Sequence, residues 1–121
     1  MMREILFRAK TTDTNEWAIG YYDGYGLSPS ISINPDDVFC NVDPETLGQF
    51  TGCYDKNGVR IFEGDIIKSV LGNVVVLFSN CGFMGKVIDK QFYYDLYDDN
   101  LGFVEVIGNI YDNPELLEEN K

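Results

Sequence analysis

The apolar residues of this chain recur with a period of two, and glycine interrupts the pattern at short intervals. In QFYYDLYDDN, residues 91–100, the side chains of Phe92, Tyr94 and Leu96 would share one face of an extended strand. Successive side chains of a β-strand point to opposite faces, so this alternation is typical of half-buried strands. The segments REILFRAK, EWAIGYYDG and FVEVIGNIYD show the same period. The sequence therefore predicts a mainly β fold.

The segment GQFTGCYDKNGVRIFEGDII, residues 48–67, contains the clearest turn signals. Asn57-Gly58 separates two strand-like runs, and both residues tolerate the positive φ that a tight hairpin requires. Gly64 and Asp65 follow the next strand and predict a second turn, in which the Asp65 carboxylate accepts hydrogen bonds from turn amides. We interpret Asn57, Gly58, Gly64 and Asp65 as structural turn residues.

Two ligand-binding alternatives for the same segment fail on spacing. A calcium loop that began at Asp55 would need glycine in the sixth position and glutamate in the twelfth, but Gly58 comes fourth and Glu63 ninth. A phosphate-binding loop needs Gly-Lys-Ser/Thr before a helix, whereas β-branched residues follow here. The segment predicts neither a metal site nor a nucleotide site, and we expect no cofactor.

The order of the segments predicts two parts. Residues 1–47 predict an N-terminal β subdomain, with an edge strand around Ile31 and Ile33 and one helical turn capped by Asp43 and stopped by Gly48. Residues 48–121 predict a small β-barrel that ends in a short C-terminal helix. The two parts could also fold as one compact unit.

VVVLF, residues 74–78, is apolar on both faces of the predicted strand. Val74, Val76 and Phe78 can fill a barrel interior, while the alternate residues Val75 and Leu77 need a second layer. That layer would be the N-terminal strands or another chain.

The C-terminal segment predicts a bulge followed by a helix. Gly108 interrupts the last strand and predicts a β-bulge. Asn113 and Pro114 have the residue types of a helix cap and a first helical position. In this prediction Leu116 and Leu117 plug one end of the barrel.

Charge and composition exclude several classes of protein. The chain of 121 residues has nine basic and twenty acidic side chains, a net charge of −11, so direct nucleic-acid binding is disfavoured. With 45% hydrophobic residues it is long enough to build a core. The first residues are too briefly apolar for a signal peptide or a membrane span. We expect a cytoplasmic protein with no membrane association.

The chain lacks the usual catalytic and zinc-binding side chains. It has no histidine and only three cysteines, Cys40, Cys53 and Cys81, which we interpret as small apolar core residues without a disulfide. A carboxylate-based enzyme is an alternative, with Glu63 and Asp65 as its acid–base pair, or Asp95 and Asp98. Close neighbours on a strand face opposite ways or lie apart, so we expect no catalytic residues.

Two long motifs carry a family resemblance. ETLGQFTGCYDKNGVRIFEGDII and EVIGNIYDNPELL resemble the YopX-like family of phage and prophage proteins, and the opening REILFRAK and Trp17 fit the start of that family. The resemblance runs roughly from Arg3 to Leu117. It implies an all-β fold with an SH3-like barrel, in a phage or prophage setting inside a bacterial cell, and it implies no activity.

The function we expect is a non-catalytic protein-interaction or assembly module. Tyrosine suits an interface because it combines contact area with a polar end, although most of these rings could simply pack the barrel. The candidate surface comprises Tyr93, Asp95, Tyr97 and Asp98, and the partner would be a host protein or a second copy, which would make a homo-oligomer. The alternative is an acidic mimic of DNA that regulates a host nucleic-acid-binding protein.

The tyrosines considered for such contacts are Tyr21, Tyr22, Tyr25, Tyr93, Tyr94 and Tyr97.

Overall fold

A computed structural model describes residues 5–23, 29–32, 39–70, 72–79, 82–88, 92–96 and 103–117. The described strands are β1 (Phe7–Lys10), β2 (Trp17–Asp23), β3 (Ser30–Ser32), β4 (Phe39–Asn41), β5 (Gly48–Tyr54), β6 (Arg60–Phe62), β7 (Asp65–Ser69), β8 (Gly72–Ser79), β9 (Gly82–Val87), β10 (Phe92–Asp95) and β11 (Glu105–Asn109). Short 3-10 turns cover Pro44–Thr46 and Pro114–Leu117. Nowhere in the described ranges does the chain form a helix with the length and hydrophobicity of a membrane span.

The strands form two antiparallel sheets, which confirms the predicted all-β fold. One has the order β4-β3-β2-β1-β5-β6 and the other the order β10-β9-β8-β7-β11. No pairing between the described strands closes either sheet into a barrel. The chain divides into two compact units, Met1–Phe50 (unit 1) and Thr51–Lys121 (unit 2), so the division falls inside β5. The division predicted from the sequence lies just before this strand, between residues 47 and 48.

Unit 1 buries the inward face of β1 to β4. Its core consists of Ala9, Ala18, Ile31 and Val42. Small side chains on the paired strands β1 and β2 allow Phe7 and Tyr22 to pack against this core, with ring centroids 6.0 Å apart. The predicted turn after Asp43 is present as a 3-10 turn, and the Asp43 carboxylate accepts a hydrogen bond from the Glu45 N–H at 3.0 Å.

Two details of unit 1 differ from the sequence-based expectation. β3 is an inner strand between β2 and β4, because the chain continues into a further antiparallel strand after Pro35. Ile33 lies outside the described residues. Gly48 does not stop the helical turn, which ends at Thr46 with Leu47 as its extended C-cap, and instead begins β5.

Unit 2 has its own apolar core, built from Ile61, Ile67, Val74, Val76, Val87 and Val104. Val74 and Val76 are inside as expected, but Phe78 is 51% exposed. Phe78 lies near the end of β8, beyond the core, and packs edge-on against Phe83 with ring centroids 5.1 Å apart. Val75 and Leu77, on the other face of β8, are only partly buried.

Within residues 103–117, the described part of the C-terminal segment, the predicted bulge is present but no α-helix forms. The register of β11 on β7 shifts between Val106 and Gly108. Pro114–Leu117 forms a single 3-10 turn with no buried residue. Leu117 is 40% exposed, so this residue does not plug the end of a core.

Candidate interaction surface

The Asn57-Gly58 segment connects β5 to β6 through a tight turn. Gly58 has φ of 79°, the left-handed region that glycine enters without steric cost. The Gly58 N–H donates to the Asp55 carbonyl at 3.0 Å, and the Asp55 N–H donates to the Val59 carbonyl at 2.9 Å. Nothing lies within 4 Å of the position of a Cβ at Gly58, so the backbone conformation alone favours glycine there.

Asp55, which the sequence analysis did not select, holds this hairpin together. Its Oδ1 accepts the N–H groups of Asn57 and Val59 at 2.8 and 2.9 Å, and its Oδ2 accepts the Val106 N–H at 3.0 Å. Burial disfavours the charged carboxylate, but these three hydrogen bonds and nearby Lys56 outweigh it and lower the pKa of Asp55. The carboxylate is therefore a structural anion.

Gly64 and Asp65 form the second turn, between β6 and β7. Gly64 has φ of 94°, and its N–H donates to the Val76 carbonyl at 2.8 Å. Asp65 is 1% exposed, and its Oδ2 accepts the Phe62 N–H at 2.7 Å. A carboxylate so enclosed within its own turn satisfies backbone amides and is not open to a substrate.

Asn109 organises the turn that follows β11. Its Oδ1 accepts the N–H groups of Tyr111 and Asp112 at 3.0 and 2.9 Å, and its Nδ2 donates to Asp112 Oδ2 at 3.1 Å. The Asn109 N–H donates to Asn113 Oδ1 at 3.2 Å. The amide side chain thus bonds three groups of one turn.

Three polar residues of the two sequence motifs, Asp55, Asp65 and Asn109, are consequently engaged in the backbone architecture of unit 2. Asp65, one half of a proposed acid–base pair, is buried in its turn. Within the described part of the chain no three potential metal-ligating side chains come together. Asp98, the partner considered for Asp95, lies outside the described residues, as do Tyr25, Tyr97 and Cys81. Asp55, Asp65 and Asn109 therefore serve the fold of unit 2.

Each of the two tyrosine pairs sends one ring inward and one outward. Tyr22 and Tyr94 pack against the cores of unit 1 and unit 2. Tyr21 and Tyr93 are 61% and 47% exposed. This follows from the period of two, because adjacent residues on a strand face opposite sides. Of these four rings, those of Tyr21 and Tyr93 are the ones exposed for contact with another molecule.

Burial also raises the pKa of the Tyr94 hydroxyl, although a hydrogen bond with the Ser69 side chain acts in the opposite direction. The neutral phenol is the form that suits this partly buried position.

Tyr93 and Asp95 lie on the face of the second sheet that points away from the core of unit 2. Strand pairing aligns Leu77, Met84 and Asp95 in one row across β8, β9 and β10. The neighbouring row contains Val75, Lys86 and Tyr93. Directly paired residues share a face, so the six side chains form one patch. We call it the β8–β10 surface.

This surface combines partly exposed apolar side chains with two charges of opposite sign. Leu77, Met84 and Lys86 are partly buried, whereas Tyr93 and Asp95 are exposed. An apolar centre with an aromatic anchor and a charged margin is the usual anatomy of a protein contact. Of the four surface residues selected from the sequence, the structure brings these two together.

Unit 1 presents a second exposed apolar patch, which the sequence analysis missed apart from Tyr21. Tyr21, Ser32 and Phe39 are aligned across β2, β3 and β4, and Ile19 precedes Tyr21 on the same face. Ile19 and Phe39 are 40% and 56% exposed. The small Ser32 side chain lies between the two aromatic residues in this row. We call these four residues the β2–β4 surface.

The period of two in the strand is the sequence signal that could have identified Phe39 as an exposed residue. Cys40 is partly buried against the core of unit 1, so its neighbours on the strand must point outward. Cys53 likewise packs against the core of unit 2, and neither Cys40 nor Cys53 forms a disulfide. Their surroundings fit the expected role of small apolar side chains.

Comparison with known proteins identifies the family without assigning an activity. No curated protein matches the chain. Among solved structures, the chain is similar to protein EF1440 from Enterococcus faecalis, with a TM-score of 0.63 and 26% sequence identity, over 97% of this chain and 100% of that chain. The model of the YopX family, described as YopX protein, matches residues 6–118. A match of this extent shows that the chain belongs to the YopX family.

Proposed function

We propose that this protein is a non-catalytic interaction module that acts through protein contacts. In this proposal it works as an accessory protein of a phage or prophage, in the cytoplasm of the bacterial host. Its partner is a protein of the host or a second copy of the chain, and it binds no nucleic acid, membrane or cofactor. The phage setting rests on what the family resemblance implies.

The observation that supports this proposal is the distribution of polar and aromatic side chains. Asp55, Asp65 and Asn109 are buried and accept backbone N–H groups. The outward faces of β2, β4 and β10, in contrast, expose Tyr21, Phe39 and Tyr93. A scaffold that encloses the carboxylates of Asp55 and Asp65 and exposes aromatic rings on its strand faces is suited to binding and poorly suited to acid–base chemistry.

We also propose that unit 2 has the SH3-like architecture that the resemblance implies. Its strands β7 to β10 form a meander, and β11 returns to pair with β7 on the other side. Short antiparallel strands that wrap a small core, as here, leave the outward faces and loops available for binding.

A variant-controlled capture experiment tests the proposal. The tagged protein is incubated with host lysate, and the retained proteins are identified by mass spectrometry. The test variants are Y21S/F39S on the β2–β4 surface and Y93S on the β8–β10 surface. The control is F103S, because Phe103 is 82% exposed and belongs to neither surface.

We expect at least one retained protein to be lost with a surface variant and kept with F103S. Capture that is identical for all four proteins would contradict the proposal. If the retained protein is a DNA-binding protein whose capture falls steeply as salt is raised, acidic imitation of DNA explains the function better.

A further inference from the structure

We propose that the β8–β10 surface binds the same surface of a second copy of this chain across a two-fold axis. This inference rests on the proposed function, since it names one partner for an interaction module. It is carried by the pattern of charge and apolar side chains on the surface, which is complementary to itself.

The register of the strands fixes the positions of the residues that matter. Met84 and Lys86 are next-but-one neighbours on β9, and Asp95 and Tyr93 lie beside them on β10. Lys86 and Asp95 are therefore diagonal neighbours, about 8 Å apart along the sheet surface. Tyr93 and Met84 occupy the opposite diagonal. The four residues form a small parallelogram with one charge of each sign.

A two-fold axis in the plane of the contact gives this parallelogram a matching partner. If the axis bisects the line from Lys86 to Asp95 at right angles, it places Lys86 of each copy over Asp95 of the other. The same rotation leaves Tyr93 close to Tyr93 of the second copy, and Met84 close to its own equivalent. One operation thus produces two opposite-charge pairs around an aromatic and thioether centre.

Charge also favours a second copy over other occupants. The whole chain has a net charge of −11, so two copies repel each other at most orientations. On the β8–β10 surface the charges of Lys86 and Asp95 cancel. A strongly basic partner would bring its charges against Lys86, and a strongly acidic partner against Asp95. A surface with one charge of each sign, diagonally placed, matches itself best.

The small area of the patch predicts a weak dimer. Contacts of this size belong to the transient class, so the dimer should form reversibly as concentration rises. Sedimentation equilibrium over a concentration series up to the millimolar range measures this association on the intact chain.

Charge reversal provides the decisive test. K86D places two carboxylates opposite each other at both pairs, and D95K places two ammonium groups there. We expect either single variant to dimerise about tenfold more weakly than the wild type. The double variant K86D/D95K restores both pairs with the order exchanged, and we expect it to recover the wild-type dissociation constant. The control E16K changes the net charge as D95K does, at an exposed position of unit 1.

Three outcomes would overturn the inference. The first is a wild-type chain that stays monomeric throughout the series. The second is a double variant as weak as the single ones, and the third is an equal loss with E16K. Circular dichroism of each variant shows that it is folded, and recovery in the double variant shows it independently. If the wild type is monomeric while Y93S still loses a protein from host lysate, this inference fails and the proposed function stands.

Discussion

Replacement of Gly85 by alanine tests how closely β8, β9 and β10 pack over the core of unit 2. A Cβ at Gly85 would lie 2.7 Å from Val74 Cγ1 and 3.3 Å from both Leu96 Cδ2 and Tyr94 Cζ. Carbon atoms in optimal contact are about 3.5–4 Å apart, so the methyl group would overlap Val74. Val74 is fully buried, and its β-branched side chain has few alternative rotamers. The overlap must therefore be relieved by movement of the strands.

The cost can be estimated because a matched control exists on the same strand. Overpacking a well-filled core costs about 1–3 kcal/mol. Alanine also restricts the unfolded chain more than glycine does, which offsets about 0.4–1 kcal/mol. At Gly82 nothing lies within 4 Å of the position that a Cβ would occupy, so G82A receives the entropic gain alone. The difference between the two variants isolates the packing cost, and we expect G85A to be less stable than G82A by about 1–3 kcal/mol.

Urea unfolding followed by circular dichroism measures this difference, provided that both variants have the same dependence of free energy on urea concentration. Equal stability of G85A and G82A would refute the close packing inferred around Gly85. A double variant, G85A/V74A, gives a second check. Removal of the Val74 methyl groups relieves the overlap, so the two substitutions should cost less together than the sum of their separate effects.

Three further predictions follow from the hydrogen bonds and pKa shifts of unit 2. D55N should lose about 1–3 kcal/mol of stability. Because the pKa of Asp55 is lowered, its contribution to stability is complete above the ordinary pKa of 3.8 and is lost as pH falls through the lowered pKa. The stability of D55N should therefore lack this part of the loss that the wild type shows in acid. N109A leaves the N–H groups of Tyr111 and Asp112 without their acceptor and should cost about 1–3 kcal/mol in urea unfolding, unlike N41A at an exposed position. The raised pKa of Tyr94 predicts that stability falls as pH rises above the ordinary value of 10.0, and Y94F should not show this alkaline loss.

Local features of this fold could be predicted from the sequence because their causes are local. The period of two places Tyr93 and Tyr94 on opposite faces wherever the strand lies. The glycine at the bulge, Gly108, is likewise required by a residue nearby in the sequence, because a Cβ there would lie 2.5 Å from Asn113 Oδ1. Short-range chemistry of this kind is visible in a single sequence.

Long-range features could not be predicted in the same way. The third hydrogen bond of Asp55 goes to Val106, 51 residues further along the chain. Arg8 is 8% exposed in the middle of β1, where its guanidinium lies 4.5 Å from the centroid of the Trp17 ring across the strand pair. Tyr21 and Phe39 lie on either side of Ser32 because three strands pair in this register. Each depends on strand register, which turn chemistry does not determine for strands far apart in sequence.

β11 is the point at which the segments that carry the family resemblance meet. The Lys56 N–H donates to the Val104 carbonyl at 3.0 Å, and the Ile110 N–H donates to the Gly64 carbonyl at 2.9 Å. Asn109 is paired in register with Asp65. The hairpin, the second turn and the C-terminal turn are thus joined through β11 and the residues on either side of it, mostly by backbone groups. The side chains of Asp55, Asp65 and Asn109 stabilise the three turns and so help to specify the fold of unit 2.

This arrangement separates the residues that specify the fold from those that could specify a partner. A substitution at Asp55 or Asn109 weakens unit 2 itself, so any loss of binding that it causes says nothing about the binding surface. The outward side chains of Tyr93 and Lys86 take no part in the hydrogen bonds of these turns. Exchange of these side chains should therefore alter binding while the fold is retained, and only changes of this second kind can identify what the protein recognises.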